Sequence, residues 1–144
     1  LIPVDTLQVL CATMIAQTLV SENCLLCPML DARRMEVYTA MYQPTTLKKE
    51  TSIQAKVVDQ TTFAPALAER QIYFFGNGAD KCKQVILSPN AYFVDNIVPH
   101  AQYMGQLAED TALERALDAK QMAYYEPFYL KEFVPAPSHI KGLK

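Results

Sequence analysis

The sequence holds little of what most catalytic and membrane signatures are made from. It has two histidines, His100 and His139, and neither stands in a metal-binding spacing. There is no His-Glu-x-x-His for zinc and no Gly-x-Ser-x-Gly nucleophile elbow. The Walker A pattern and the full dinucleotide fingerprint are absent too. No apolar run reaches the roughly 18 residues that a membrane-spanning helix needs. Positive charge is not in excess: 13 Lys and Arg face 15 Asp and Glu, for a net charge of −2 and a pI near 5.7. An autonomous nucleic-acid binder normally shows a basic face, so any RNA contact needs a partner to supply the charge.

What is present suits one globular core: 144 residues, 51% hydrophobic and 19% charged. The four cysteines are Cys11, Cys24, Cys27 and Cys82. Cys24-Leu-Leu-Cys27 has CxxC spacing, but no second CxxC or His pair completes a zinc set. The segment also reads as a strand, where residues three apart point to opposite faces. Buried, reduced thiols follow, and with them a cytoplasmic compartment.

Helical periodicity begins at Asp5, an N-cap, with Gln8 placed for a capping box, and runs to about Val20. Leu7, Leu10, Cys11, Met14, Ile15 and Thr18 form its apolar stripe. The other face holds Gln8, Val9, Ala12, Thr13, Ala16 and Gln17, and Thr6 to Val20 contains no charged residue. A helix of this kind is made to be covered on both sides. A hairpin follows, Leu25–Leu30 and Met35–Tyr42, turning through Asp31-Ala32-Arg33-Arg34. Val37, Thr39 and Met41 alternate there with Tyr38, Ala40 and Tyr42. The polar stretch 43–54 reads as a loop or edge ribbon and 55–58 as a strand. A helix capped by Thr61 spans 62–70, Ile72–Phe75 is a buried strand, and Gly76-Asn77-Gly78 opens a helix over 79–87. Tyr92–Val94 is a strand and Pro99 starts a helix to about Leu117. The segment from Gln121 onward reads as extended, pinned by Tyr124, Tyr125, Phe128, Tyr129 and Phe133. Strands alternating with helices after a hairpin predict an α/β mixed sheet packed with helices.

Two constellations invite a functional reading. A strand running into a helix through Gly76-Asn77-Gly78 can offer backbone N–H groups to a phosphate, though a tight turn explains the same residues and Asp80 would repel an anion. Asp31, Arg33, Arg34 and Glu36 form the dense charge cluster of the hairpin. It serves either docking or hairpin shaping, or is a solvated turn whose ion pairs contribute about 0–1 kcal/mol. Cys–His catalysis would need Cys82 or Cys11 beside His100.

Three segments carry a family likeness. Asp31-Ala-Arg-Arg-Met-Glu-Val-Tyr38 resembles the Asp-Ala-Arg-x-x-Glu-Val-Tyr hairpin of the TsaB (YeaZ) family. Phe74-Phe-Gly-Asn-Gly-Ala-Asp-Lys81 resembles its strand–Gly-x-Gly–helix corner. Pro127-Phe-Tyr-Leu-Lys131 is similar to its Pro-x-Tyr-Leu-Arg ending, with Lys131 where the family has Arg. The likeness is to sequences of the Bacteroidetes type. It implies a lobe of the actin-like ATPase (ribonuclease H-like, ASKHA) fold. Residues 1–133 would be the C-terminal lobe, 5–20 its linking helix and 134–144 a loose tail, with the family's N-terminal lobe absent.

The resemblance further implies a non-catalytic scaffold in the synthesis of threonylcarbamoyladenosine in tRNAs reading ANN codons. Its partners would be a TsaD-like protein and a TsaE-like ATPase, with tRNA met only indirectly, no cofactor and no membrane. The His-x-x-x-His metal motif of the catalytic paralogue is absent. Helix residues Leu7, Val9, Leu10, Ala12, Thr13, Ala16, Gln17 and Leu19 lie at the boundary with the absent lobe. Their uncovered face is expected to drive homodimerisation. The alternative is a nucleotide-binding ATPase-like or peptidase-like enzyme of the same superfamily.

Overall fold

The computed structural model describes residues Leu1–Lys131. The expected loose tail, Phe133 and His139 lie outside the described residues. Helix α1 (Thr6–Gln17) leads into β1 (Leu25–Asp31), β2 (Glu36–Thr39) and β3 (Gln54–Val57). Then come α2 (Ala64–Glu69), β4 (Ile72–Phe75), a 3-10 turn (Asp80–Cys82) and β5 (Ala91–Val94). A second 3-10 turn (Ala101–Tyr103) runs into α3 (Met104–Arg115), and α4 (Ala119–Ala123) closes the described chain.

The strands form one mixed sheet in the order β3-β2-β1-β4-β5. β1–β2 and β2–β3 are antiparallel; β1–β4 and β4–β5 are parallel. Central strand β1 is covered on both faces, so Cys24 to Met29 is one buried run. Its alternate side chains serve two cores. Leu25, Cys27 and Met29 join Val37, Phe63, Leu67, Phe74 and Cys82 on the α2 side. Cys24 and Leu26 join Leu10, Met14, Tyr42 and Phe75 on the α1 side. The CxxC cysteines therefore point to opposite faces, as the period of a strand requires.

A proline in a central strand normally removes a ladder bond. Pro28 is accommodated because the β1–β2 ladder breaks beside it. Pairing stops at Met29↔Thr39 and resumes as the isolated bridge Leu26↔Tyr42. Thr39 fills the break: its buried hydroxyl donates to the Pro28 carbonyl at 2.7 Å and lies 3.2 Å from Cys27 Sγ.

Several local expectations are corrected. Asp5 caps α1, accepting from the Leu7 N–H at 2.9 Å. Gln8 does not complete the capping box; its amide donates to the Leu47 carbonyl at 3.2 Å. The helix expected over 79–87 is a 3-10 turn followed by looser turns. β-branched Val85 and Ile86 are poor helix formers, and Ser88-Pro89 stops any continuation. α2 is shorter than expected, and its entry is organised by Asp59 rather than Thr61. Asp59 Oδ1 accepts from the N–H groups and the hydroxyls of both Thr61 and Thr62, at 2.8–2.9 Å. Helix α4 falls where extended chain was expected, carried by an Asp118–Gln121 capping box.

The uncharged face of α1 is not left bare. Val9 and Ala12 pack against Leu107 of α3, with Val4, Leu47 and Tyr103 around them. Thr13 is buried, and its hydroxyl donates back to the Val9 carbonyl at 3.0 Å. The expectation of an uncovered face is thus corrected along most of the helix.

Candidate functional site

Parallel strand β4 ends at Phe75, opposite Pro28, while β1 runs on past it to Asp31. In open α/β sheets, ligands gather beyond such carboxyl ends. Here the three motif segments meet. Asn77 Oδ1 accepts the Asp31 N–H at 3.0 Å, tying the glycine corner to the end of β1. Lys81 Nζ donates to Asp31 Oδ1 and, at 2.6 Å, to the Glu36 carbonyl, so it bridges the last residue of β1 and the first of β2. Lys131 Nζ donates to both Glu36 carboxylate oxygens. Residues spread over most of the described chain therefore converge at one corner of the sheet.

The electrostatics follow from these contacts. The Lys81 hydrogen bond, helped by the Arg33 N–H, holds the Asp31 carboxyl below the ordinary carboxylate range. The pairs are solvent-exposed, so the network fixes geometry more than stability. Lys81 was within the sequence motif, but its bridging role needs the fold. Lys131 contacts its carboxylate with one ammonium rather than the planar fork an arginine would offer.

The glycine corner is built for close approach to β1. Gly76 sits at φ +94°, and a Cβ there would fall 2.5 Å from the Met29 carbonyl oxygen. A Cβ on Gly78 would lie 2.9 Å from the Leu30 carbonyl carbon. The Gly78 N–H donates to Met29 O at 2.9 Å and the Ala79 N–H to Gly76 O at 3.1 Å. Those donors face inward, and the 3-10 turn that follows spans only Asp80–Cys82. The geometry is that of a packed turn, not of a phosphate cradle on a helix N-terminus.

Of the boundary residues, Leu7, Val9, Leu10, Ala12 and Thr13 are buried within the chain. Ala16 and Gln17 are exposed, and Leu19 is 98% exposed. The C-terminal aromatics are not the pins they were expected to be. Tyr124, Tyr125, Phe128 and Tyr129 all face solvent, and among the described residues Lys131 ties this segment to the hairpin. His100 is exposed and meets Tyr103 edge-on.

All four cysteines are free and buried. Burial raises every thiol pKa, that of Cys27 to about 12. A thiol held protonated is a poor nucleophile. A polar cleft of about 550 Å³ opens at the other end of the sheet between Ser21–Asn23, Gln43–Thr45 and Glu69–Gln71. Its one cation, Arg70, is held by the Glu50 carboxylate at 3.0 and 2.6 Å. A groove of about 390 Å³ runs between α2 and residues 86–90. Among the described residues, no helix is long and apolar enough to cross a membrane.

No protein-family model matches the chain, and no curated protein matches it. Among solved structures it is similar to one described as an uncharacterized protein with similarity to peptidase YEAZ from Pseudomonas aeruginosa. The TM-score is 0.68 at 23% identity, over 89% of this chain and 57% of that one. The likeness fixes the fold: a mixed sheet with helices, of the actin-like ATPase type. The chain spans little more than half of that structure's length.

Proposed function

We propose that the protein is a TsaB-type subunit: a non-catalytic scaffold in the machinery that forms threonylcarbamoyladenosine in ANN-decoding tRNA. The observation that carries this reading is the convergence of the three motif segments. Hairpin, glycine corner and Pro-x-Tyr-Leu-Lys segment lie far apart in sequence, yet they meet through Asp31, Glu36, Asn77, Lys81 and Lys131. A chance likeness in three short motifs has no reason to assemble in space. The shared fold with a YeaZ-similar structure supports it.

On this reading the partners are a TsaD-like protein and a TsaE-like ATPase. The net charge of −2 suits an indirect relation to tRNA. Buried, reduced thiols suit the cytoplasm. The inward-facing N–H groups of the glycine corner weigh against the alternative of a nucleotide-binding enzyme, and the raised thiol pKa values weigh against Cys–His proteolysis. The exposed Ala16, Gln17 and Leu19 leave a smaller surface for homodimerisation than the sequence suggested.

The test is size-exclusion chromatography with light scattering, on the chain alone and mixed with the TsaD-like protein of the same genome. A mixed complex, together with a reconstituted tRNA modification that depends on this protein, is the expected result. Failure to bind, with saturable ATP binding by calorimetry instead, would transfer the assignment to the enzyme reading.

A further inference from the structure

Arg33 and Arg34 both adopt positive φ, +72° and +48°. Non-glycine residues rarely do so, and two in succession with long side chains run against the usual choice of Gly, Asn or Asp in hairpin turns. The turn is hydrogen-bonded, Glu36 N–H to Arg33 O at 3.0 Å. Arg34 therefore takes its first central position, where a positive φ favours glycine. Neither guanidinium makes a hydrogen bond or an ion pair among the described residues, although the other charges of this corner do. Lys81 is committed to Asp31, Lys131 to Glu36, and Lys83 to Asp80 and Asp95. The strained backbone thus holds two guanidinium groups, free of hydrogen bonds among the described residues, out into solvent at the tip of the hairpin, Arg33 acting on Asp31 only through its charge, and strain retained at a surface site points to use.

A second feature is joined to the base of the turn through Lys131. Phe128 and Tyr129 are 72% and 77% exposed. Tyr129 is two residues before Lys131, at most about 7 Å of chain, and Lys131 is fastened to Glu36 at the base of the same turn. Arginine together with exposed aromatic rings is the composition of an interface centre. The absence of any wider basic surface in a chain of net charge −2 favours a short acidic segment over a nucleic-acid backbone.

We infer that this corner is a docking site for a partner protein segment that carries carboxylates next to an apolar side chain. Arg33 and Arg34 take the carboxylates, each in the two-pronged geometry a guanidinium offers. Phe128 and Tyr129 take the apolar group. The inference stands whether or not the scaffold reading holds, since it rests on the turn alone.

The test uses a random dodecapeptide display library selected on the full chain, with the variant Arg33→Asn/Arg34→Gly as counter-target. That variant suits the positive φ at both positions, so it should fold and melt higher by about 2–6 °C. Selected peptides are expected to pair Asp or Glu with Leu, Phe or Met. Fluorescence anisotropy should then show a tenfold or greater loss of affinity for the variant and a smaller loss for Arg33→Lys/Arg34→Lys. Equal binding by the Asn/Gly variant, or enrichment without acidic residues, overturns the proposal. A labelled 20-nucleotide single-stranded RNA that binds more tightly than the selected peptides, and through the same arginines, overturns it in favour of a nucleic-acid partner.

Discussion

The hydroxyl of Tyr42 donates to one carboxylate oxygen of Asp5, 3.1 Å away, while the other oxygen caps α1 at the Leu7 N–H. One carboxylate thus starts the helix and ties it to a buried tyrosine from the far side of the hairpin. Asp5→Ala removes both roles and should cost about 2 kcal/mol in urea denaturation. Tyr42→Phe should cost about 1 kcal/mol. A double-mutant cycle should show coupling of at least about 0.5 kcal/mol; additivity would mean that the Tyr42–Asp5 hydrogen bond contributes nothing to stability.

The glycine corner supplies a sharper test. Added Cβ atoms at Gly76 and Gly78 meet backbone of β1, which cannot swing aside as a side chain would. Gly78→Ala should destabilise by about 2–3 kcal/mol, and Gly76→Ala by more, since its φ is also positive. Gly105, with nothing within 4 Å of its added Cβ, is the control. Gly105→Ala in α3 should be neutral or stabilise by up to about 1 kcal/mol. Equal midpoints for the three variants would contradict the close approach described.

Asp59 gives the stability a pH signature. Hydrogen bonds from the Thr62 and Thr61 hydroxyls, with their N–H groups, lower its pKa from 3.8 to about 2. Because the folded-state value is depressed, the unfolded chain binds the proton first as pH falls. The contribution is therefore fully present above about pH 5 and is lost progressively as pH drops through the folded pKa. Asp59→Asn should melt below the unsubstituted protein at neutral pH, and the gap should narrow as pH falls below about 4 and be nearly gone at about pH 2. A gap that persists at pH 2 would place the effect in packing rather than charge.

The two faces of α1 should respond differently to a charge. Val9 lies under Leu107 and Tyr103, so Val9→Glu buries an unpaired carboxylate and should cost about 3 kcal/mol or more. Ala16 is exposed, so Ala16→Glu should leave stability within about 0.5 kcal/mol. If the end of α1 is a contact between copies, Ala16→Glu with Leu19→Glu should reduce the mass by light scattering at high concentration without lowering Tm.

Much of the sheet was legible because its signals are local. Alternation at Val37 to Tyr42, the apolar run Ile72–Phe75 and the cap at Asp5 report neighbours along the chain, whereas the helix expected from Pro99 begins only at Met104, after a 3-10 turn. The opposed orientations of Cys24 and Cys27 followed from strand period alone. What was missed depends on distant partners. Covering of Val9 and Ala12 by α3 could not be read from α1, whose own composition looked uncovered. Lys81 and Lys131 acquire their roles only when β2 comes beside them. The Asp118–Gln121 capping box was a local signal that could have found α4; the prolines at 127, 135 and 137 drew the whole segment toward an extended reading. The break of the ladder at Pro28, filled by Thr39, has no sequence signature beyond a proline in an otherwise apolar strand.

The shared central strand also fixes the order in which the molecule can assemble. β1, β2 and β3 are consecutive and pair as soon as they leave the coil, whereas β4 must close a long loop before it reaches β1. The hairpin half should carry φ-values near 0.5–0.8 and the β4–β5 half values below about 0.3. During that interval one side of β1 presents unpaired backbone and the side chains of Leu25, Cys27 and Met29 to other chains. Newly made protein is therefore most prone to aggregation before residues 72–75 arrive. Substitutions at Gly76 and Gly78 fall in the late half, so they should speed unfolding far more than they slow folding.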